Sequence, residues 1–206
     1  AGGHSITARR FVIATGSRPV VPPIPGLSDV PYLTNETLFA LREKPSHLLI
    51  LGGGPIGLEM AQAHRRLGCK VTVIEAGRVL GREDPELAAV VVQQLRAEGV
   101  TMLEGISVSR VARDSGITAT LSDGQTLAGS HILIAAGRKV ALDGLGLDAA
   151  GVAHDARGVT VDASLRSSNR RVYAVGDAAG GAQFTHLAGY HAGVVIRQML
   201  FALGKR

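Results

Sequence analysis

The chain has few aromatic residues and a single cysteine. Aromatic side chains make up 3% of its 206 residues and tryptophan is absent. A hydrophobic core must therefore consist mainly of Val, Leu, Ile and Ala, as in parallel sheets that are buried on both faces. Because Cys69 is the only cysteine, the chain forms neither an intrachain disulfide nor a two-cysteine redox centre of its own. We expect Cys69 to be a buried structural thiol rather than a reactive one.

Long apolar runs and long runs of one charge are also absent. No window holds 18 uninterrupted apolar residues and no signal peptide opens the chain, which predicts no membrane span and favours a cytoplasmic protein. The formal net charge is +5, but the basic residues come in pairs such as Arg65-Arg66. Such pairs are typical of a solvated basic surface, so nucleic-acid binding is not predicted.

The most informative stretch runs from Leu48 to Glu75. An apolar strand pattern is followed by G-x-G-x-x-G at Gly52, Gly54 and Gly57, a helical pattern and a second apolar strand that ends at Glu75. The glycines permit a tight turn, close approach of a pyrophosphate to the backbone, and close packing of helix on strand. This combination predicts dinucleotide binding; the alternative is an ordinary glycine-rich turn.

Glu75 indicates which dinucleotide is bound. A carboxylate at the end of the second strand can accept hydrogen bonds from a ribose diol, and it repels a 2′-phosphate. Two unit charges about 4 Å apart repel by roughly 4 kcal/mol at an effective dielectric of about 20. The sequence therefore predicts NAD rather than NADP, while Arg78, three residues later, weakens this preference.

Helices are predicted where apolar residues recur at helical spacing. Gly68 and Gly99 end the first two, and Asp84 caps the second with Pro85 at its first position. A third helix runs from Leu187 to Gly204. The apolar faces of the first two are predicted at Ile56, Met60, Ala63 and Leu67, and at Leu87, Val91 and Leu95.

Strands are predicted over the remaining apolar runs. Residues 11–14 and 131–136 read as buried strands, 100–103 as a third parallel strand, and 106–112 with 117–121 as antiparallel strands. Residues 20–26 contain three prolines and read as an extended connector outside the core. Residues 142–168 read as a connecting segment with a small hairpin around Val152 and Val159, and residues 172–175 as a further strand.

Three segments repeat one pattern, an apolar strand that runs into a glycine turn. They read FVIATGSRP, ILIAAGRKV and VYAVGDAAG, and GGGPIGLE lies between the first two. With FTHLAGYHAG near the end, these motifs resemble, in order, the flavoprotein pyridine nucleotide–disulfide oxidoreductases, within which the chain is most similar to the dihydrolipoamide dehydrogenase and mercuric reductase branch. The resemblance covers nearly the whole chain and implies an NAD(P)-binding domain inserted in an FAD-binding domain.

The resemblance implies a set of NAD contacts. Glu75 is implied at the adenosine ribose, Val108 in the adenine pocket, and Gly137 near the nicotinamide. Glu59 matches a catalytic-site glutamate near the contact between flavin and nicotinamide, where it pairs with a lysine. The pyrophosphate contacts are implied at Gly52, Gly53, Gly54, Pro55, Ile56 and Gly57.

The resemblance also implies FAD contacts. Thr15 and Gly16 match a segment that touches FAD, and Asp177 matches the aspartate that hydrogen-bonds the ribityl chain. Thr185 and His186 lie where a helix N-terminus would direct its N–H groups at the flavin, favouring a reduced, anionic ring. From the residues alone, Asp177 can instead cap a turn, and His186 can be a cap or packing residue.

The chain also departs from the family pattern. Its first FAD glycine loop, its redox-active cysteine pair, the lysine partner of Glu59 and its C-terminal dimerisation domain have no counterpart here, and Val140-Ala141 replaces the usual Pro-Asn. The chain does not begin with methionine. We therefore expect a fragment of a longer, homodimeric enzyme that is inactive alone.

The predicted architecture is an α/β fold. A Rossmann-like NAD-binding domain, with a parallel sheet and an antiparallel β-meander, occupies residues 45–137. Residues 1–44 form an FAD-domain remnant and linker, and residues 138–206 the C-terminal FAD-domain remnant. The predicted partners are NAD(H) and, in the full-length parent, FAD; no metal site is predicted. Self-association or local disorder is expected for segments 1–19 and 138–206.

The predicted function is transfer of hydride from NAD(P)H to FAD and of electrons onward to a disulfide or metal acceptor. Two alternatives remain at this stage: a nucleotide-binding module without catalysis, and a flavin reductase that lacks the cysteine pair.

Overall fold

The computed structural model describes residue 3 and residues 5–201. Short strands and three α-helices occupy this part of the chain, with brief 3₁₀ turns between them. In chain order the strands and helices are β1 (Phe11–Ile13), β2 (Ser17–Pro19), β3 (Tyr32–Leu33), β4 (His47–Leu51), α1 (Pro55–Arg66), β5 (Lys70–Glu75), α2 (Pro85–Ala97), β6 (Thr101–Glu104), β7 (Val108–Arg113), β8 (Ile117–Leu121), β9 (Thr126–Gly129), β10 (His131–Ile134), β11 (Arg138–Val140), β12 (His154–Asp155), β13 (Gly158–Val159), β14 (Val172–Ala174) and α3 (Thr185–Phe201).

The chain divides into two compact units. The inner unit comprises residues 19–137, and the outer unit comprises residues 1–18 and 138–206. The inner unit begins at Pro19 and so includes part of the segment 1–44; the assignment of residues 45–137 to NAD binding stays a prediction. Leu27, Val30 and Leu38 are buried in its cores, which is why the segment before residue 45 belongs to it.

A five-stranded parallel sheet organises the inner unit. Its order is β3-β10-β4-β5-β6, and each neighbouring pair is parallel. An antiparallel meander, β7-β8-β9, forms a separate sheet. The predicted α/β fold with a parallel sheet and a β-meander is confirmed.

Alternate residues of the central strands enter two different cores. Leu48 and Ile50 of β4 pack with Leu58 of α1 and Leu95 of α2, whereas Leu49 and Leu51 pack against the meander. Because successive side chains of a strand point to opposite faces, the sheet lies between a helical layer and the meander. The apolar runs in these strands follow from burial on both faces.

The predicted apolar faces of α1 and α2 are only partly correct: Leu95 is buried and Met60 packs against the core, but other predicted residues face outward. Leu67 is 68% exposed, and α1 buries Gly57, Leu58 and Ala61 instead. The small residues Gly57 and Ala61 let this side of the helix approach the sheet, and Leu58 packs into the core beside them. In α2, Leu87 is 70% exposed and Val91 44% exposed; its buried residues are Ala88 and Leu95.

The segment before β4 does more than connect. Tyr32 and Leu33 pair with Ile132 and Leu133 and so add an edge strand to the parallel sheet. Ile24, at the end of the proline-rich stretch, is partly buried against the core on the meander side. A strand of two residues has no alternation that a sequence pattern can reveal, so it was not predicted.

The outer unit is built around a parallel pair and a helix. β1 pairs with β14, and β12 and β13 form the small antiparallel hairpin that was predicted between Val152 and Val159. Tyr173 is fully buried in a cluster with Leu165 and Val195 of α3. β2 and β11 form a further two-stranded sheet.

One buried strand was predicted incorrectly in this unit. Phe11 and Val12 of β1 are 46% and 45% exposed, although β1 pairs with the buried strand β14. The predicted end of α3 at Gly204 lies outside the described residues. Within the described residues, no helix combines the length and the apolar character needed to cross a bilayer.

The start of α2 provides a test of its predicted cap. The Asp84 carboxylate accepts hydrogen bonds from the N–H groups of Glu86 at 2.9 Å and Leu87 at 3.2 Å. We expect Asp84→Ala to lower the free energy of unfolding by about 1 kcal/mol in urea denaturation, because these N–H groups lose their acceptor. Asp84→Asn keeps an acceptor and should cost far less; an equal loss in both variants would refute capping.

Candidate functional site

A cavity of about 720 Å³ opens in the inner unit beside the carboxyl ends of β4, β5 and β10. Ligands of open α/β sheets bind at this edge. The predicted cofactor-binding residues that line it are Gly52, Gly53, Gly54, Pro55, Ile56, Glu75, Val108 and Gly137. The structure thus brings together residues that are widely separated in sequence.

Two glycines of the G-x-G-x-x-G motif allow close backbone packing. A Cβ atom on Gly52, whose φ is +113°, would lie 2.3 Å from the carbonyl oxygen of Ala135. A Cβ atom on Gly57 would lie 2.1 Å from the carbonyl oxygen of Gly52. Gly57 therefore allows α1 to pack closely against the turn that lines the cavity, but does not line the cavity itself.

Gly54 serves a different purpose. A Cβ atom built on it would have no neighbour within 4 Å, so its side faces open space. Gly54 is also the N-cap of α1, and no side chain caps this helix. Because first-turn N–H groups lack intrahelical acceptors, the start of α1 offers donors and a positive dipole end to an anion. Pro55, at the first position, contributes no N–H.

Glu75 is held at the cavity by the backbone. Its Oε2 accepts a hydrogen bond from the Gly53 N–H at 2.7 Å, and its Oε1 accepts one from the Gly77 N–H at 2.8 Å. The carboxylate is half-buried. Each carboxylate oxygen has two lone pairs, so both retain capacity to accept from a ligand hydroxyl.

The segment 76–83, between β5 and α2, supplies lining residues that the glycine motif does not reveal. Arg78, Arg82 and Glu83 line the cavity, so it contains both signs of charge. Arg78 was noticed in the sequence because it follows Glu75 closely; Arg82 and Glu83 carried no motif. Pro22, Ile24 and Ile106 add apolar surface.

Glu59 does not line the cavity. It lies on α1 with an exposed side chain, and within the described part of the chain it makes no hydrogen bond or ion pair. The structure therefore places it apart from Glu75, and its role near a nicotinamide and a flavin remains a prediction.

Asp177 belongs to a polar cluster in the outer unit. Its Oδ2 accepts a 2.5 Å hydrogen bond from the Ser17 hydroxyl, which in turn accepts one from Nε of Arg138 at 2.6 Å. Arg138 also donates to the Ser17 carbonyl at 2.7 Å and lies 4.0 Å from the Asp177 carboxylate. The sequence carried a weak signal for this cluster, since all three residues follow strands in the repeated strand–glycine pattern.

The other predicted flavin contacts lie at chain turns and at a helix start. Thr15 is exposed, and Gly16 has a φ of +67°. α3 begins at Thr185, two residues before the predicted start at Leu187, and its first residues are exposed. The His186 ring stacks on Phe184 with 5.3 Å between centroids, a packing role that the sequence also allowed.

Cys69 is fully buried, as expected, and burial raises the pKa of its thiol. Among the described residues, no group of three His, Cys, Asp or Glu side chains is placed to hold a metal ion.

The chain is similar to known reductases over nearly its full length. It is 44% identical to a mercuric reductase of Streptomyces lividans over 94% of this chain and 42% of that protein. It is 37% identical to a probable pyridine nucleotide-disulfide oxidoreductase, RclA, of Escherichia coli over 100% of this chain and 47% of that protein. The chain thus spans less than half the length of these relatives.

Solved structures agree with this similarity. The Cu(II) complex of the HOCl-induced flavoprotein disulfide reductase RclA from Escherichia coli matches with a TM-score of 0.90 and 36% identity, over 98% of this chain and 47% of that one. LpdA from Mycobacterium tuberculosis matches with a TM-score of 0.83 and 29% identity, over 95% of this chain and 43% of that one. The family described as pyridine nucleotide-disulphide oxidoreductase matches residues 1–192, and the chain belongs to this family.

Proposed function

We propose that this chain carries the NAD(H) site of an FAD-dependent oxidoreductase, in which hydride passes from NADH to FAD and electrons pass on to a disulfide or metal acceptor. The observation that carries the proposal is the carboxylate of Glu75, held at the cavity by the N–H groups of Gly53 and Gly77. Family membership supports the reaction class. When bound, the nicotinamide supplies a hydride and the flavin accepts it.

The residues at the glycine turn fit a diphosphate. The open side of Gly54 and the uncapped start of α1 provide space and N–H donors together. Phosphate oxygens are held at helix N-termini by this combination of free donors and dipole. Gly52 to Gly57 would therefore hold the diphosphate, with Gly57 keeping α1 close to the turn.

The residues around Glu75 fit an adenosine ribose. Because two backbone N–H groups fix the carboxylate, it would accept from a 2′,3′-diol without reorganising. Val108, with Pro22, Ile24 and Ile106, supplies apolar surface that suits an adenine ring. Arg78 and Arg82 line the same cavity and would attract a 2′-phosphate, so we expect a preference for NADH over NADPH rather than exclusion of NADPH.

The Ser17, Arg138 and Asp177 cluster fits the hydroxyl groups of a ribityl chain. Ser17 occupies Oδ2 of Asp177, and no described residue donates a hydrogen bond to Oδ1. An oriented carboxylate with one available oxygen can accept from a ligand hydroxyl.

The acceptor is proposed from the names of the relatives. Several are mercuric reductases. These names support a soft metal ion as an acceptor, in addition to a disulfide. Soft metal ions favour thiolate ligands, and Cys69 cannot supply one because it is fully buried with a raised pKa.

Two glycine substitutions separate ligand contact from packing. Gly54→Ala adds a methyl group in open space at an extended backbone position, where φ is −78° and ψ is 179°. We expect unchanged thermal stability but an NADH dissociation constant raised about tenfold or more in calorimetric titration, since the methyl group keeps the diphosphate from the backbone. Wild-type affinity in this variant would mean that no diphosphate approaches this turn.

Gly57→Ala is the matched packing variant. Its methyl group would contact the carbonyl oxygen of Gly52 within the folded protein. We expect the free energy of unfolding to fall by about 1–3 kcal/mol, as for overpacked sites, measured by urea denaturation. Stability equal to wild type would show that α1 is not held against this turn.

Glu75→Ala tests the choice of dinucleotide. Removal of the carboxylate frees the Gly53 and Gly77 N–H groups beside Arg78, which together would suit a 2′-phosphate. We expect the wild-type chain to bind NADH about tenfold more tightly than NADPH, and the variant to lose or reverse this preference. Glu83→Ala removes another acid that lines the cavity and should keep the preference. Equal wild-type affinity for both nucleotides would remove the role assigned to Glu75.

A further inference from the structure

Glu104 lies beside Glu75 but does not line the cavity. The two glutamates are register partners at the ends of the parallel strands β5 and β6. Oε1 of Glu104 accepts a hydrogen bond from the Val79 N–H at 2.9 Å, and Oε2 accepts one from the Arg96 guanidinium at 2.7 Å. Glu104 thus contacts the backbone of the segment 76–83 without lining the cavity.

The two carboxylates hold alternate residues of one short segment. Glu75 accepts from the Gly77 N–H, and Glu104 accepts from the Val79 N–H two residues later. The Leu80 N–H then donates to the Gly53 carbonyl at 2.9 Å. A displacement of Val79 must therefore disturb the donors on both sides of it, including the one that orients Glu75.

The segment needs such anchors because its backbone is strained. Leu80 has a φ of +50°, a left-handed conformation that is unfavourable for a residue with a Cβ atom. Strained conformations persist only where surrounding contacts determine them. Without the Glu104 acceptor, we expect the backbone around Leu80 to move toward a less strained conformation.

Val79 also connects this segment to the glycine turn. It is 2% exposed, and a Cβ atom on Gly53 would lie 2.8 Å from its Cγ2. Gly53 is the second donor to Glu75. The position of Val79 therefore affects both N–H groups that hold the Glu75 carboxylate.

The ion pair between Glu104 and Arg96 is not expected to stabilise the fold substantially. Their side chains are 31% and 52% exposed, and ion pairs of such exposure contribute little to folding. The Arg96 guanidinium occupies Oε2 of Glu104, while Oε1 accepts the hydrogen bond from the Val79 N–H.

We propose that Glu104 is a positioning residue for dinucleotide selectivity: by holding the Val79 N–H, it fixes Glu75 and the cationic segment 76–83 relative to the adenosine ribose. This inference rests on the proposed NAD(H) function. Glu104 acts through the backbone and touches no ligand.

The test compares substitutions at Glu104 for NADH and NADPH affinity, measured by calorimetric titration of the chain. Glu104→Ala should raise the NADH dissociation constant about tenfold and lower the NADH-to-NADPH selectivity several-fold, because Glu75 loses its fixed orientation. Glu104→Gln keeps a carbonyl acceptor for Val79 and should retain the wild-type selectivity. Glu104→Asp reaches less far and should show a smaller loss in the same direction; it replaces the alanine variant if that protein does not fold.

Glu98→Ala is the matched control for a purely structural carboxylate. Glu98 accepts hydrogen bonds from Arg66, Gln62 and Gln94 at the ends of α1 and α2, away from the cavity lining. Its removal should lower thermal stability without changing selectivity. If Glu104→Ala weakens both nucleotides equally, or if Glu104→Asp keeps full selectivity where the alanine variant does not fold, Glu104 has only a structural role.

A second measurement needs no nucleotide. Amide hydrogen exchange at Gly77 and Val79 should accelerate together in Glu104→Ala, and only slightly in Glu104→Gln, because the two N–H groups lose their acceptors in one event. Unchanged exchange at Gly77 would overturn the coupling. If the wild-type chain binds neither nucleotide, the proposed function fails, while this measurement still decides whether Glu104 positions the segment.

Discussion

The close approach of α1 to the turn after β4 is the constraint on which the inner unit depends. It exists because residue 57 has no Cβ atom, which would otherwise meet the Gly52 carbonyl oxygen. The same approach places the uncapped start of the helix at the cavity and turns Leu58 and Ala61 into the core. Both the packing of α1 and the position of its N-terminus at the cavity thus depend on the absence of a side chain at residue 57.

The second organising feature is a pair of acids at neighbouring strand ends. Glu75 and Glu104 occupy partner positions in the sheet. Both carboxylates accept hydrogen bonds from backbone N–H groups, but only Glu75 lines the cavity. Like charges this close are unfavourable unless each carboxylate is hydrogen-bonded. Here the backbone donors and Arg96 supply these bonds. The two carboxylates therefore also hold the segment 76–83 in place.

Sequence patterns predicted the longer buried strands, the glycine turn and the position of Glu75 at the end of β5, because local chemistry determines each of them. Apolar runs of four or more residues identified β4, β5 and β10, and Gly68, with a φ of +85°, ended α1 as expected. The faces of α1 and α2 were predicted only in part, because small residues such as Gly57, Ala61 and Ala88 carry little hydrophobic signal although they are buried. β3 and Glu104 could not be predicted, since both depend on partners far away in the sequence.

The ends of the inner unit are joined to each other by a hydrogen bond, from the Val20 N–H to the Gly137 carbonyl at 2.9 Å. The outer unit, in contrast, relies on contacts such as Ser17 with Asp177, which bridge the whole inserted segment. Closing a flexible loop of roughly 120 residues costs on the order of 4 kcal/mol of chain entropy. Once the inner unit has folded, this entropy has already been lost, because the two ends of the inner unit lie next to each other. Folding of the inner unit therefore brings the two segments of the outer unit close to each other, so that their association costs less chain entropy.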